Sequence, residues 1–184
     1  MKRAVDVLLS LVALLLFSPL LLAAAAAVAM ENGRPIFFRQ TRLGLQGHEF
    51  RMFKFRTMVA DAAAKGPYYT ERADRRITRV GRWLRRTSID ELPQLLNVLK
   101  GDMSLVGPRP DVPQQRQLYS DADWAQRCSV RPGITGLAQA LLRSEATPAQ
   151  RLALDLRYAR EHNLLLDLKI IGWTLARATG KGSN

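Results

Sequence analysis

The chain has 184 residues and a formal net charge of +12, with 28 lysines and arginines against 16 acidic residues. That balance points to polyanionic partners (nucleic acid, anionic lipid or phosphorylated substrates), and composition does not choose among them. The single cysteine, Cys128, excludes an internal disulfide and is read as a packing residue; His48 and His162 lie far apart and lack the company a zinc site needs.

From Val7 to Met30 no residue is charged. As one helix this run would measure about 36 Å, enough to cross a ~30 Å hydrocarbon core. It exceeds the apolar part of a secretory leader. Ser18-Pro19 interrupts it, and proline removes a helix hydrogen bond and clashes with the preceding turn, which predicts a kink. Lys2 and Arg3 precede the run, and Arg34, Arg39 and Arg42 follow it. Basic flanks prefer the cytoplasmic side, so a broken helix that enters and leaves by one face satisfies both ends. A straight span does not, yet spanning helices tolerate proline, and the residues alone leave both forms open. Asp6, at the edge of the run, is expected at the interface near Arg3.

Residues 36–57 predict a β-hairpin, with Gly44-Leu45-Gln46-Gly47 as its turn. On the returning strand Met52, Lys54 and Arg56 share one face, which aims both cations at one site. An exposed basic edge strand is the plainer reading. Arginines then crowd the stretch from Arg72 to Arg86, with Arg75, Arg79, Arg82 and Arg86 on one helical stripe and Ile77, Val80 and Leu84 on another. This predicts a basic amphipathic helix suited to an anionic membrane interface, and the neighbouring apolar run favours lipid over nucleic acid.

In Thr87-Ser88-Ile89-Asp90-Glu91-Leu92-Pro93-Gln94, Ser88 and Glu91 have the spacing of a capping box. Pro93 argues against Ser88 as the cap, because it would then break a backbone bond inside the helix. With Asp90 as the cap, Pro93 falls in the first turn, where its missing N–H costs nothing. The adjacent carboxylates then have two readings: ordinary capping, or a nucleophile beside a ligand for a hard cation such as Mg²⁺. Downstream, Gly107-Pro108-Arg109-Pro110 and Arg131-Pro132-Gly133 hold arginines in rigid turns that suit anion binding. Leu164 to Ala178 predicts a last amphipathic helix, with Leu165, Leu168, Ile171, Gly172 and Leu175 on its apolar side.

Taken in order, these stretches resemble the bacterial sugar transferases, in particular the small monotopic polyprenyl-phosphate phosphoglycosyl transferases. The resemblance runs from Lys2-Arg3, Asp6 and Ser18-Pro19 through Lys54-Phe55-Arg56-Thr57-Met58. It continues through the Asp90-Glu91 stretch, Asn97 to Pro110 and Arg131 to Gln139, and ends with Asp155-x-x-Tyr158 and Asp167-Leu168-Lys169-Ile170. It implies an irregular, helix-rich α/β fold: a re-entrant membrane helix over 1–33, then one catalytic domain over 34–184 with a short hairpin and interfacial amphipathic helices. It also implies that Asp90 attacks the sugar-bearing phosphate of a UDP-sugar, and that polyprenyl phosphate collects the phosphosugar from it. Glu91 would bind Mg²⁺, with Asp155 a weaker candidate for metal or sugar. Lys54, Arg56, Arg109 and Arg131 would hold phosphates, and Ser18-Pro19 would break the membrane helix. The expected partners are a UDP-sugar, polyprenyl phosphate and anionic lipid, without nucleic acid. The expected location is the cytoplasmic face of a bacterial inner membrane. Where many relatives carry a Gly-Arg-Asn-like run, this chain has Ala140 to Glu145, so no particular sugar carries over. A non-catalytic membrane scaffold and a water-accepting hydrolase are the rival readings.

Overall fold

The computed structural model describes residues 1–62, 65–66, 74–142 and 147–178. Arg72, Arg143 to Glu145 and Lys181 lie outside them. The fold is helix-rich α/β with an antiparallel hairpin and a second, two-stranded parallel sheet.

The apolar run forms two helices, α1 (Lys2–Leu16) and α2 (Ser18–Asn32), bent by 64°. No single helix is long and apolar enough to cross a membrane; the bent pair together meets the length and composition. The break falls where proline dictates. Pro19 occupies the first turn of α2, where its missing N–H is harmless. Ser18 Oγ donates to Leu15 O at 2.8 Å, adding to the backbone bond that this carbonyl takes at the end of α1. The far half of α2 packs on the rest of the chain, with Ala24 and Val28 buried against Phe55, Leu84 and Ile89.

The hairpin pairs β1 (Phe37–Leu43) with β2 (Glu49–Phe55) within the expected residues 36–57, and its register sets Phe38 opposite Lys54. The arginine stretch is shorter as a helix than expected: α3 runs Arg79–Arg86, and Arg75 precedes it. Thr78 stops it earlier. Its Oγ1 accepts from Gly81 N at 2.9 Å, while Glu31 at the end of α2 accepts from Arg79 N at 2.8 Å and Val80 N at 2.9 Å. Gly81 lies flat on the hairpin exit; a Cβ there would sit 2.1 Å from Thr57 O.

Next come α4 (Gln94–Lys100), β3 (Ser104–Val106), α5 (Asp121–Arg127), β4 (Gly133–Thr135), α6 (Leu137–Leu141), α7 (Pro148–Glu161) and α8 (Leu164–Ala178). The last matches its predicted bounds. Buried Asn97 joins α4 to β2: its Oδ1 accepts from Phe53 N at 2.9 Å, and its Nδ2 donates to Arg51 O at 2.8 Å. That clamp sets Lys54 against the start of α4. Strand β3 pairs in parallel with β4, and Val106 joins Leu137, Ala140, Tyr158 and Ile170 in a second core.

Asp6 is enclosed by the protein itself. It is buried and accepts from Ser104 Oγ at 2.9 Å and from Leu105 N at 3.2 Å. Lys2 likewise reaches inward, to Asp167 at 2.6 Å, and Arg3 donates to Val98 O at 2.5 Å. The polar start of α1 is therefore spent on β3, α4 and α8. Asp6→Ala leaves two buried donors unpaired and is expected to lower stability by about 1–3 kcal/mol. Denaturation in detergent micelles measures this, and Asp6→Ala/Ser104→Ala should recover part of the loss; an unchanged midpoint for Asp6→Ala contradicts the pairing.

Candidate active site

Asp90 and Glu91 lie in a 3₁₀ turn, Ile89–Glu91, not at the head of an α-helix. Helix α4 begins at Gln94, with Pro93 as its cap. The expected Asp90 cap fails because the chain already winds in i→i+3 fashion from Ile89: Leu92 N bonds Ile89 O at 3.2 Å and Leu95 N bonds Leu92 O at 3.0 Å. No long helix dipole then faces the pair, and its electrostatics come from side chains. Ser88, just before, holds φ +57°, an uncommon left-handed state for a residue other than glycine. It turns the chain so that Ile89 enters the first core and Asp90 is buried beside it.

Glu91 Oε1 accepts from Lys54 Nζ at 2.6 Å and from Arg109 Nη2 at 2.9 Å. Burial alone would raise the Glu91 carboxyl, but Arg109 and Lys54 outweigh it and hold it down at about 2. Asp90 moves the other way. Burial raises it, the Glu91 charge raises it further, and Lys54 and Arg85 only partly offset both. Adjacent carboxylates are thus pushed apart: one firmly ionised and cation-bound, the other more basic than an ordinary aspartate. Such divergence is the pattern of paired groups with different tasks. Burial lowers Lys54, and Glu91 works against that shift.

Arg85 was not among the residues picked from the sequence. It stands off the arginine stripe, is turned inward by its Nε bond to Thr57 Oγ1 at 2.8 Å, and favours the ionised Asp90. Its departure from the stripe was the available signal. Arg42, also unforeseen, donates to Pro110 O at 2.9 Å; burial and then Arg109 lower it to about 10.

Of the proposed phosphate ligands, Lys54 and Arg109 meet at Glu91, and the other two do not. Arg56 is buried, and its Nη2 donates to Asn32 O and, at 2.7 Å, to Gly33 O. It neutralises the carbonyl end of α2, a favourable place for a cation. A shared strand face was insufficient to bring Arg56 to Lys54's target. Arg131 Nε donates to Gly101 O at 2.9 Å, at the end of α4. The turns carrying Arg109 and Arg131 pack backbone against backbone, since a Cβ on Gly107 would lie 2.2 Å from Arg131 O.

Asp155 is engaged elsewhere. Arg127 donates Nε to Asp155 Oδ2 at 3.0 Å, pairs through Nη1 with Asp111 Oδ2 at 2.6 Å, and donates Nη2 to Arg109 O at 2.6 Å. Burial is the main cause that raises Asp155 to about 6, and Asp111 adds to it. Two buried carboxylates share one guanidinium, which in turn holds the Arg109 backbone. Among the described residues no three His, Cys, Asp or Glu side chains converge on a common metal position.

The chain matches the model of the bacterial sugar transferase family over residues 1–181. It is 47% identical over 177 residues to the UDP-glucose:undecaprenyl-phosphate glucose-1-phosphate transferase of Caulobacter vibrioides, spanning 92% of this chain and 66% of that protein. Its identity to the undecaprenyl-phosphate glucose phosphotransferase of Komagataeibacter xylinus is 45% over 187 residues, 96% of this chain and 35% of the relative. With the exopolysaccharide production protein PSS of Rhizobium leguminosarum bv. phaseoli it shares 41% over 193 residues, 99% of this chain and 96% of the relative. The chain thus spans about a third to two thirds of the first two relatives and nearly all of the third.

Proposed function

The chain belongs to the bacterial sugar transferase family, and from that membership we propose that it moves a sugar 1-phosphate from a UDP-sugar to polyprenyl phosphate with release of UMP. The observation that carries this reading is the divergent Asp90–Glu91 pair, set among Lys54, Arg85 and Arg109. An Asp90 carboxylate oxygen attacks the phosphorus that bears the sugar, and the bond from that phosphorus to the UMP oxygen breaks. A polyprenyl phosphate oxygen then attacks the same phosphorus, the bond to Asp90 breaks, and the carboxylate is regenerated. Burial gives Asp90 the higher basicity a nucleophile needs, while Lys54 and Arg85 favour its ionised form. Arg109, whose side chain is 49% exposed against 16% for Lys54, is the cation placed to swing from Glu91 to an arriving phosphate.

Mg²⁺ fits this donor set in one way. Magnesium is commonly held by one or two carboxylates together with substrate phosphates, and Glu91, ionised over the working range, would supply the carboxylate. Bound there, the ion would neutralise charge on the diphosphate. Asp155, tied to Arg127, is not proposed as a ligand. The bent α1–α2 pair is proposed to re-enter the membrane, with the catalytic residues on the cytoplasmic face. Ala4→Cys and Arg39→Cys, labelled in spheroplasts with an impermeant thiol reagent, should both react only after lysis; opposite accessibilities contradict re-entry.

The function is tested by UMP release from a panel of UDP-sugars with Mg²⁺ and undecaprenyl phosphate. Lipid-dependent release from at least one sugar is expected. Lipid-independent release of free sugar phosphate would favour a hydrolase instead. The coupling within the pair predicts a pH effect. Glu91→Gln removes a single charge that raises both Asp90 and Lys54. Both limbs of the residual pH–rate profile should therefore shift to lower pH; an unmoved profile contradicts the coupling.

A further inference from the structure

A cleft of about 910 Å³ opens beside Arg109, between the segment after Pro110 and helices α6 and α7. Small-molecule sites commonly hold about 300–1,000 Å³. We propose that this cleft receives the nucleoside of the donor and holds UMP as it leaves, a refinement that rests on the transferase reading above.

Direction is the first argument. Arg109 faces both places: its guanidinium is on Glu91 at 2.9 Å, and it lines the cleft, whereas Asp90 does not. In phosphoryl transfer the attacking and leaving oxygens lie roughly in line across the phosphorus. With Asp90 attacking from one side, the leaving nucleotide points away from it, past Arg109 and into the cleft. Arg42 stands at the same mouth, so two guanidiniums flank the passage of the diphosphate.

The lining is the second argument. Leu118, Leu142 and Leu152 give apolar wall, and Leu118, 71% exposed, is open to an arriving ring. Gln139 supplies a polar contact. Its Nε2 donates to Ile134 O at 3.1 Å, which fixes the amide's orientation, and its Oε1 is buried beside Gly136 with no hydrogen-bond partner. A lone acceptor calls for a donor, which phosphate oxygens cannot offer. The imide N–H of a pyrimidine offers one on a flat ring suited to an apolar wall. A sugar offers hydroxyl donors but no comparable apolar face.

The test uses the full chain in nanodiscs and measures UMP affinity, KM for each accepted UDP-sugar, and inhibition by pyrophosphate. Ala149→Trp fills the cleft from an exposed position on α7, and Gln139→Leu removes the acceptor; thermal melting checks that each folds. Expected is a rise of about tenfold or more in UMP Kd and in KM for Ala149→Trp. Gln139→Leu should show a smaller rise, with the order of preferred sugars and pyrophosphate inhibition unchanged. Unchanged UMP affinity in both variants overturns the assignment, and so does a changed sugar order at constant UMP affinity, which would make this the sugar pocket. A wild type that neither binds UMP nor turns over any UDP-sugar removes the transferase reading and this one together.

Discussion

Asp90→Asn is expected to cut UMP release by at least about 10³-fold while leaving the protein as stable as wild type or more so. The rate falls because an amide is no nucleophile, and loss of a covalent nucleophile costs orders of magnitude. Stability moves the other way because of where the carboxylate sits. Asp90 is 8% exposed, and its folded-state acidity is weakened by burial and by Glu91. The folded protein therefore binds the Asp90 proton more tightly than the unfolded chain does. Stability is fully retained below the ordinary aspartate value of 3.8 and is lost as pH rises through the raised folded one. At neutral pH the ionised group is a net cost, which asparagine of the same size removes. A bystander aspartate buried in the same place would show the stability effect without the loss of rate, and full UMP release from Asp90→Asn would leave the family fold standing without its proposed chemistry.

Arg127→Met should destabilise the protein by about 3–5 kcal/mol, the usual consequence of stranding buried charges. Here two carboxylates, Asp111 and Asp155, lose the guanidinium that both contact. Methionine fills much of the space, so the loss is chiefly electrostatic. The deficit should shrink as pH falls. Asp155 already titrates near 6, and without Arg127 it holds its proton more tightly still, so acid neutralises the stranded pair. Denaturation at neutral and at mildly acidic pH, with Arg127→Met/Asp155→Asn as partial rescue, measures this. Because Arg127 also holds Arg109 O, kcat/KM should fall even where the variant is folded. Equal stability at neutral pH would mean that the cluster is solvated rather than sealed.

Local patterns were legible in the sequence, and distant pairings were not. Alternation placed the hairpin, Ser18-Pro19 placed the bend, and the apolar stripe of α8 gave its bounds. Each is decided within a few residues by pleat, ring sterics or helical period. The start of α4 was misjudged because capping signals at Ser88 and Asp90 competed with a 3₁₀ turn that only burial of Ile89 selects. Helix α3 was drawn too long because Glu31, far earlier in the chain, caps it at Arg79. The burial of Asp6 was not foreseen because its partners, Ser104 and Leu105, lie about a hundred residues away. In the site, the family resemblance singled out Lys54, Glu91 and Arg109, but not that both cations pair with the Glu91 carboxylate. The inward turn of Arg85, the diversion of Arg56 to the end of α2, and the Arg127 cluster depended on which cations met which carbonyls and carboxylates in three dimensions. Periodicity carries no such information.

The central claim is that Asp90 is the nucleophile, and trapping the first half-reaction tests it most directly. Purified protein would be mixed with Mg²⁺ and an accepted UDP-sugar without polyprenyl phosphate, quenched in acid, and mapped by mass spectrometry. A phosphosugar adduct on the peptide carrying Asp90, discharged by added polyprenyl phosphate and missing from Asp90→Asn, is the predicted result. Rapid lipid-dependent turnover with no adduct at any time, or an adduct on another residue, would contradict it.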